Sequence, residues 1–478
     1  MISSHSHLLL TVPSRAILHH RGRPTKETTM FNQKITRIAV SAMTLAAFAA
    51  ISTAQSQETG TPIPQPKVTA IKVADDSRRV DLFLPKFSRS TEVTNPWFPV
   101  SKQMAILHTG VVDGKQFRTE VTLLPYTRIV EWNGIKTETL VSQYAAFLDG
   151  RIQEVAVDLY AQADDGSVWY FGEDVSDFRD GVIFTREGTW LAGKDGPPNM
   201  IMPGKPKVGD VFRAENMPGI AFEEVTLTSV DNTIDGPMGP IKGVVSGSEL
   251  HMDGKTLSEK NFGPGYGEVR TVDKVSGDVE AMALGIPRDA LTGAVPPELT
   301  ALTEGALSIF EQSGHKGWKA AADSIDAMTK ARAAISDGDM PKPVKEKLDE
   351  ALKSLRTAID KRDSAKARQS AIEMARWAFD LQLRYRPVVE VNLARFDLWA
   401  AQVLVDASAK DAGAVNGDMF TLTIIRDRIL KSLDADTAQN LNIFLGELIS
   451  AAADEEFDAA SEAADKLREV VAGVKSVQ

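Results

Sequence analysis

From about Ile71 to Pro287 the chain alternates apolar and polar residues in short runs, among them RTEVTLLP, TRIVEW, KTETLVSQYAAF, QEVAVDLYAQ, VWYFGE, GVIFTREGTWLAG, EEVTLTSV and GEVRTVDKV. A period of two marks strands that bury one face. Asp113-Gly114, Asn133-Gly134, Asp149-Gly150, Asp165-Gly166, Asp180-Gly181 and Asp253-Gly254 stand between or beside these runs. Such pairs supply the positive backbone angles that tight hairpin turns need. Strands this close in sequence predict an antiparallel β meander, either a curved sheet or an incomplete barrel.

Past PRDALTGAVPPELTALTEGA the period changes, and from Glu298 apolar residues recur three and four apart. Leu348, Leu352, Leu355 and Ile359 form one stripe, and Ile372, Ala375, Phe379 and Gln382 another; both are helix faces. Breaks around Gly338, Asp363, Pro387, Gly413, Asp434 and Asp454 divide the segment into about six or seven helices, enough for an antiparallel bundle. The fold class expected is therefore α+β and multidomain, with a β-rich domain over 71–287 and an all-α helical bundle over 297–478.

The N-terminus suggests where the protein works. From Met30, Lys34 and Arg37 form a basic start, Ile38 to Ala50 an apolar run, and Ser52-Thr53-Ala54 a small-residue stretch. This is the pattern of a signal peptide over 30–54, cut near Ala54, which predicts a periplasmic or secreted protein. Residues 1–29 then read as an extension upstream of the true start, and 55–70, polar and Pro-rich, as a flexible tether. No later apolar run is long enough to span a bilayer, so no transmembrane segment is expected in the mature chain. A formal charge of −11 without a Lys/Arg block argues against nucleic acid as a partner. With no cysteine, disulfides, thiol nucleophiles and thiolate metal sites are excluded.

Candidate chemistry begins at GSVWYFGEDV. Strict alternation puts Val168, Tyr170 and Gly172 on one face and Trp169, Phe171 and Glu173 on the other. One reading makes the aromatic triplet core and sheet-edge packing, with the acids starting a solvated loop; Trp169, Tyr170, Phe171 and nearby Trp190 are then also the candidates for a ligand or partner surface. The alternative is a catalytic carboxylate, Glu173 with Asp174 or Glu187. Residues facing opposite ways cannot meet at one substrate atom, which favours the first. A thioether and imidazole copper site is a further alternative, with Met200, Met202, His251 and Met252 as ligands, although Met more often fills core. In LRYRPVVEVNLARFDLWAAQVLVDASAKD, Arg384, Arg386, Glu390, Arg395, Asp397 and Asp406 interrupt an apolar helix. They read as a buried ion-pair network or, with Glu390, Asp397 and Asp406 as ligands, as a cation site. No nucleophile elbow, phosphate loop, dinucleotide fingerprint or metalloprotease helix is present, and no cofactor is implied.

NPWFPV at 95–100, DLYAQADDGSVWYFGEDV, EGTWLAGKDG, MIMPGKPKVGDVFRAE and NFGPGYGEVRTVD together resemble a group of exported bacterial proteins of uncharacterised function, many of them lipoproteins. The resemblance runs from Asn95 to about Leu284 and implies a β domain and export. It supplies no activity, and NMPGIAFEEV lacks the His that would carry over a metal site. The function expected is that of an exported non-enzymatic binding protein. Its β domain would offer a concavity to a small apolar ligand or an envelope protein, and its helices an interaction module. A carboxylate-dependent hydrolase of envelope or glycan material, or a periplasmic copper-binding protein, is the alternative.

Overall fold

The computed structural model describes residues 60–474 apart from Lys67, Thr69 and Ala70. The expected signal peptide, the upstream extension and half of the expected tether lie outside the described residues; the described half is not free, with Thr61–Pro62 in a strand and Ile63 buried in the core. Two short strands, β1 (Thr61–Pro62) and β2 (Phe83–Leu84), pair with each other. The main sheet is built from β3 (Ala105–Val112), β4 (Lys115–Trp132), β5 (Ile135–Leu148), β6 (Arg151–Gln162), β7 (Val168–Arg179), β8 (Val182–Thr185), β9 (Trp190–Leu191), β10 (Asn199–Met202), β11 (Val211–Met217), β12 (Ala221–Gly236), β13 (Gly239–His251), β14 (Leu257–Gly263), β15 (Gly267–Asp273) and β16 (Val279–Ile286). Its order is β10-β7-β6-β5-β4-β3-β16-β15-β14-β13-β12-β11, with β8 and β9 also pairing with β7. Each ladder is antiparallel, and no ladder joins β10 to β11, so the sheet is an open meander.

Local chemistry makes the hairpins. At Asp113-Gly114, Asn133-Gly134, Asp149-Gly150 and Asp180-Gly181 both residues have positive φ, as the turn that matches strand twist requires. At Asp165-Gly166 and Asp253-Gly254 only the glycine does; there each Asp side chain bonds backbone amides ahead of it.

Eight α-helices follow: α1 (Pro297–Gly314), α2 (Trp318–Ala334), α3 (Lys342–Asp360), α4 (Ser364–Gln382), α5 (Val388–Ser408), α6 (Ala412–Ile429), α7 (Ala435–Ala453) and α8 (Phe457–Ala472). Asp363, Asp411 and Asp434 cap α4, α6 and α7 by accepting from backbone amides. The expected break at Gly413 is displaced to Asp411, and Gly413 and Gly417 lie inside α6. Their use is steric. The Asp180-Gly181 turn sits on α6 so closely that a Cβ at Gly181 would lie 1.9 Å from the Gly413 carbonyl oxygen. A further break, at His315 to Gly317 between α1 and α2, raises the helix number above that expected.

The change of period falls where the sequence places it, between Ile286 and Pro297, but the apolar core does not divide there. Ala145, Phe147, Ile152, Val155 and Phe178 of the sheet share a core with Phe396, Trp399, Val403, Val415 and Leu422 of α5 and α6. Phe147 stacks on Trp399 at 5.4 Å and Phe178 meets Phe420 edge-on at 4.5 Å. A second shared core joins Ala105, Leu107, Ala283 and Leu284 to Leu299, Leu302 and other helical residues. The helices therefore cover one face of the sheet.

Charge is sealed into this interface. Arg118 and Glu120 of β4, Asp380 of α4, Arg395 of α5 and Arg428 of α6 are all buried. Arg118 donates to Asp380 and Glu120 at 2.7 Å, Arg395 to Asp380 at 2.6 Å and Arg428 to Glu120 at 2.7 Å. Burial opposes ionisation of both acids. The arginines outweigh it, Arg395 foremost at Glu120 and Arg118 at Asp380, and hold both carboxyls below their ordinary values. The helical charges flagged in the sequence are thus divided among separate pairs. Glu390 pairs with Arg386, Asp397 with Arg468 and Asp406 with Arg151, so the three acids do not form a common cation site.

Asp380→Ala should destabilise the protein by about 3–5 kcal/mol in urea unfolding, because Arg118 and Arg395 lose a buried partner together. Residues 60–290 expressed alone should be insoluble or bind an apolar dye such as ANS, because their helix-facing Phe147, Ile152, Val155 and Phe178 are uncovered. A soluble, cooperatively unfolding fragment would contradict the shared core.

Candidate functional site

With one face against the helices, alternation sends the other set of side chains inward. On β6, Ile152 and Val155 pack on the helices, while Glu154, Ala156, Asp158 and Tyr160 line a concavity. On β4, Arg118 and Glu120 face the helices and Val121 the concavity. On β3, Leu107 packs outward and Ile106 and His108 inward. The concavity has a volume of about 410 Å³ and takes residues from nearly every strand, so the sheet curls around it.

Two bulges turn further acids inward. Asp158 pairs with Glu173 and Tyr160 with Tyr170, so two residues of β6 span three steps of β7. The extra residue lies at Phe171-Gly172, where Gly172 has φ +139° and a Cβ would lie 2.6 Å from the Trp190 carbonyl oxygen. Tyr170 and Glu173 thereby share the concave face, which strict alternation forbids. This corrects the expected loop: β7 continues to Arg179, and Glu173 is a wall residue. On β11 the register steps from Arg213 opposite Glu224 to Glu215 opposite Glu223. Ala214 is the surplus residue, and Glu215 turns in beside Glu223.

The other residues singled out from the sequence separate. Trp169 and Phe171 are fully buried in the apolar core, Trp169 donating to Ser167 Oγ at 2.7 Å and Phe171 meeting Phe87 edge-on. Trp190 is buried behind the wall and donates to Glu215 Oε1 at 3.2 Å. Of the four aromatics proposed as a binding surface, Tyr170 alone lines the concavity. Asp174 is exposed and paired with Arg186 at 3.0 Å, and Glu187 is also exposed, so neither joins Glu173. Met200 and Met202 are core residues of β10 opposite Trp169 and Val168. Met252 is exposed in the turn after β13, and His251 lies with Glu223 and Glu249 instead of with the thioethers.

Eight carboxyls line the concavity: Glu154, Asp158, Glu173, Glu215, Glu223, Glu249, Glu268 and Glu280. The basic groups on the same wall are Lys260 and His108. Burial, reinforced by Asp177 and Asp158, pushes the Glu154 carboxyl up to about 7. Burial also raises Asp158 to about 6, against hydrogen bonds from Tyr170 and Tyr160. Glu223 rises to about 7 through burial and Glu215, and Glu249 to about 8 through burial and Glu223. Glu173 rises furthest, through burial and a hydrogen bond shared with Glu215. Glu215 is raised too, first by burial, and two acids this close favour keeping a proton on the pair. At Glu268 burial opposes ionisation, but Lys260 and the Thr271 hydroxyl hold the carboxyl low.

Between these acids the wall is apolar or aromatic, with Phe98, Ile106, Val121, Tyr144, Val225 and Phe262. Of the lining acids only Glu173 stood out in the sequence. The others occupy the polar half of the strand alternation, which reads as a solvent face unless the opposite face is known to be covered.

A second cleft, of about 560 Å³, lies between sheet and helices. Arg151 of β6 pairs across it with Asp406 of α5, and Arg376 pairs with Glu373 along α4. Among the described residues no helix is long and apolar enough to cross a membrane. No protein-family model, no curated protein and no solved structure matches the chain.

Trp169→Ala should cost about 3–5 kcal/mol in urea unfolding, the usual loss for a large buried aromatic. Glu154 and Asp158, raised to about 7 and 6, keep their protons in the folded state where the unfolded chain has lost them. Their contribution to stability is full below about pH 4 and is lost as pH rises to about 7. Glu120 and Asp380, held low, act in reverse and withdraw stability as pH falls below about 4. Urea midpoints should therefore peak near pH 4–5 and fall towards neutrality. The fall should be shallower in the Glu154→Gln, Asp158→Asn double variant, and an equal slope would contradict the assignment.

Proposed function

We propose that this chain is an exported, non-enzymatic binding protein whose sheet holds a ligand with an apolar body and a positively charged group. The observation that carries this reading is the concave wall, where eight carboxyls stand against Lys260 and His108 while the remaining surface is largely apolar or aromatic. The small apolar ligand expected from the aromatic sequence does not suit it. Such a ligand would strip water from the acids and return no counter-charge. An amphiphilic amine matches both parts, and about 410 Å³ lies within the usual range for a small-molecule site. Export rests on the signal pattern at 30–54 and on the resemblance of 95–284 to exported bacterial proteins.

The Glu173 and Glu215 pair favours a second reading, acid–base hydrolysis, because a shared proton suits that chemistry. Glycoside hydrolysis by two carboxylates needs them roughly 5 Å apart or more around the scissile bond. Glu173 and Glu215 instead stand close enough to shift each other's proton affinity, so they act as one proton-sharing unit and not as two carboxyls on either side of a bond. Binding is the better-supported function.

Calorimetric titration with dodecylamine, dodecanol and dodecanoate separates head-group charge from tail burial. Dodecylamine should bind at least tenfold more tightly than dodecanoate. Its affinity should rise from pH 5.5 to pH 8, as Glu154 and Asp158 ionise beside a ligand that stays cationic. Equal affinity for amine and carboxylate would overturn the reading. Turnover of peptidoglycan fragments or simple glycosides that disappears in Glu173→Gln would establish the hydrolase in its place.

A further inference from the structure

We propose that Glu223, Glu249 and His251 form a binding site for a divalent transition cation, of the Zn²⁺ class, on the β12–β13 wall of the concavity. The hairpin places the donors. Glu223 of β12 lies directly opposite His251 of β13 in the ladder, and Glu249 precedes His251 by two residues, so all three project from one face. One donor atom from each lies within 4.8 Å of the others. His251 Nε2 stands 3.4 Å from Glu249 Oε2, and Nδ1 stands 3.5 Å from Glu223 Oε1. Ligands of tetrahedral zinc, bound at roughly 2.0–2.1 Å, are separated by about 3.4 Å. The two contacts use opposite ring nitrogens, of which one ion can take only one, so the carboxylate on the other side must rotate to complete the set; the three donor atoms, all within 4.8 Å, are close enough for that.

A separate observation points to a ligand. Glu249 Oε2 is buried, with its side chain 3% exposed, and has no hydrogen-bond partner. Lys260 Nζ approaches it only to 3.5 Å and also serves Glu268 at 3.3 Å. A buried carboxyl oxygen without a hydrogen-bond partner is costly, and an entering metal ion would supply one in place of the carboxyl proton. His251 Nε2 also lies 2.9 Å from Ser258 Oγ. Glu223 and His251 are 28% and 29% exposed, which gives an ion a path in. Two carboxylates and one imidazole form a borderline donor set that suits zinc better than calcium or magnesium, which take oxygen ligands alone. Thioethers take no part, so this is not the copper site of Met200, Met202, His251 and Met252, although it uses the same histidine. Lys260 is the built-in competitor: as a metal enters, its ammonium must yield Glu249 and turn towards Glu268.

The site does not require the amphiphilic ligand, and the two are tested apart. Zn²⁺ is titrated calorimetrically into the full exported chain at pH 7.5, with far-UV circular dichroism to verify each variant's fold. One equivalent should bind. Glu249→Gln and His251→Ala should each weaken it at least tenfold, and Lys260→Met should strengthen it severalfold by removing the competing charge. Lys260→Met keeps the test decisive if a ligand variant misfolds. Absence of one-equivalent binding in the unsubstituted protein would overturn the proposal. Binding unchanged in folded Glu249→Gln and His251→Ala, or weakened by Lys260→Met, would also overturn it. Dodecylamine binding that persists without zinc binding would leave the ligand reading intact.

Discussion

Five charges sealed between β4 and helices α4, α5 and α6 govern how the two halves of this protein meet. Glu120 faces Arg118, Arg395 and Arg428, while Asp380 faces Arg118 and Arg395. Burying them is costly, and the return comes only in one alignment where every acid meets its arginines. A one-residue slip of β4 would carry Arg118 and Glu120 to the concave face and expel Val121 towards the helices. The cluster thus couples the register of the sheet to the seating of the bundle. Arg118 adds a stacking contact, lying 5.0 Å above the Trp377 ring, so the same residue joins charge to apolar packing.

The concavity is a consequence of that seating. Once the helices take the apolar face of β3 to β7 and β16, the polar half of each strand must turn to the other side. In a flat sheet those acids would meet water, but here the sheet curls and they meet one another. Their raised proton affinities measure this crowding: burial is the largest cause at Glu154, Asp158, Glu173, Glu223 and Glu249. Such a wall is poised to exchange its protons for a cation. Both the charged ligand and the metal ion proposed for it draw on this one imbalance.

The bulges at Phe171-Gly172 and Ala214 show how finely the imbalance is built. Each inserts one residue and reverses the facing of the strand beyond it, bringing Glu173 and Glu215 together from strands β7 and β11. Trp190 stands behind them, donating to Glu215 and packing edge-on to Tyr170 at 5.3 Å. Of the aromatics that drew notice in the sequence, Trp169, Phe171 and Trp190 are buried behind the wall, and Tyr170 shares its surface with the acids.

Local chemistry was legible in the chain. Asn-Gly and Asp-Gly pairs dictate hairpin turns through their backbone angles, the period of two dictates strands, and the stripe of Leu348, Leu355 and Ile359 dictates a buried helix face. These depend on residues a few positions apart, and so did the meander followed by helices. Three things were decided only by tertiary structure: which strand face the helices cover, where an extra residue reverses alternation, and which distant charges meet. Asp380 lies 262 residues from Arg118, and Glu215 lies four strands after Glu173. Alternation records that a strand has two unlike faces, but it carries no information on what each will face. The acids of the concavity remained hidden for that reason, since a carboxylate turned to solvent and one turned into the hollow of a curled sheet occupy the same place in the pattern.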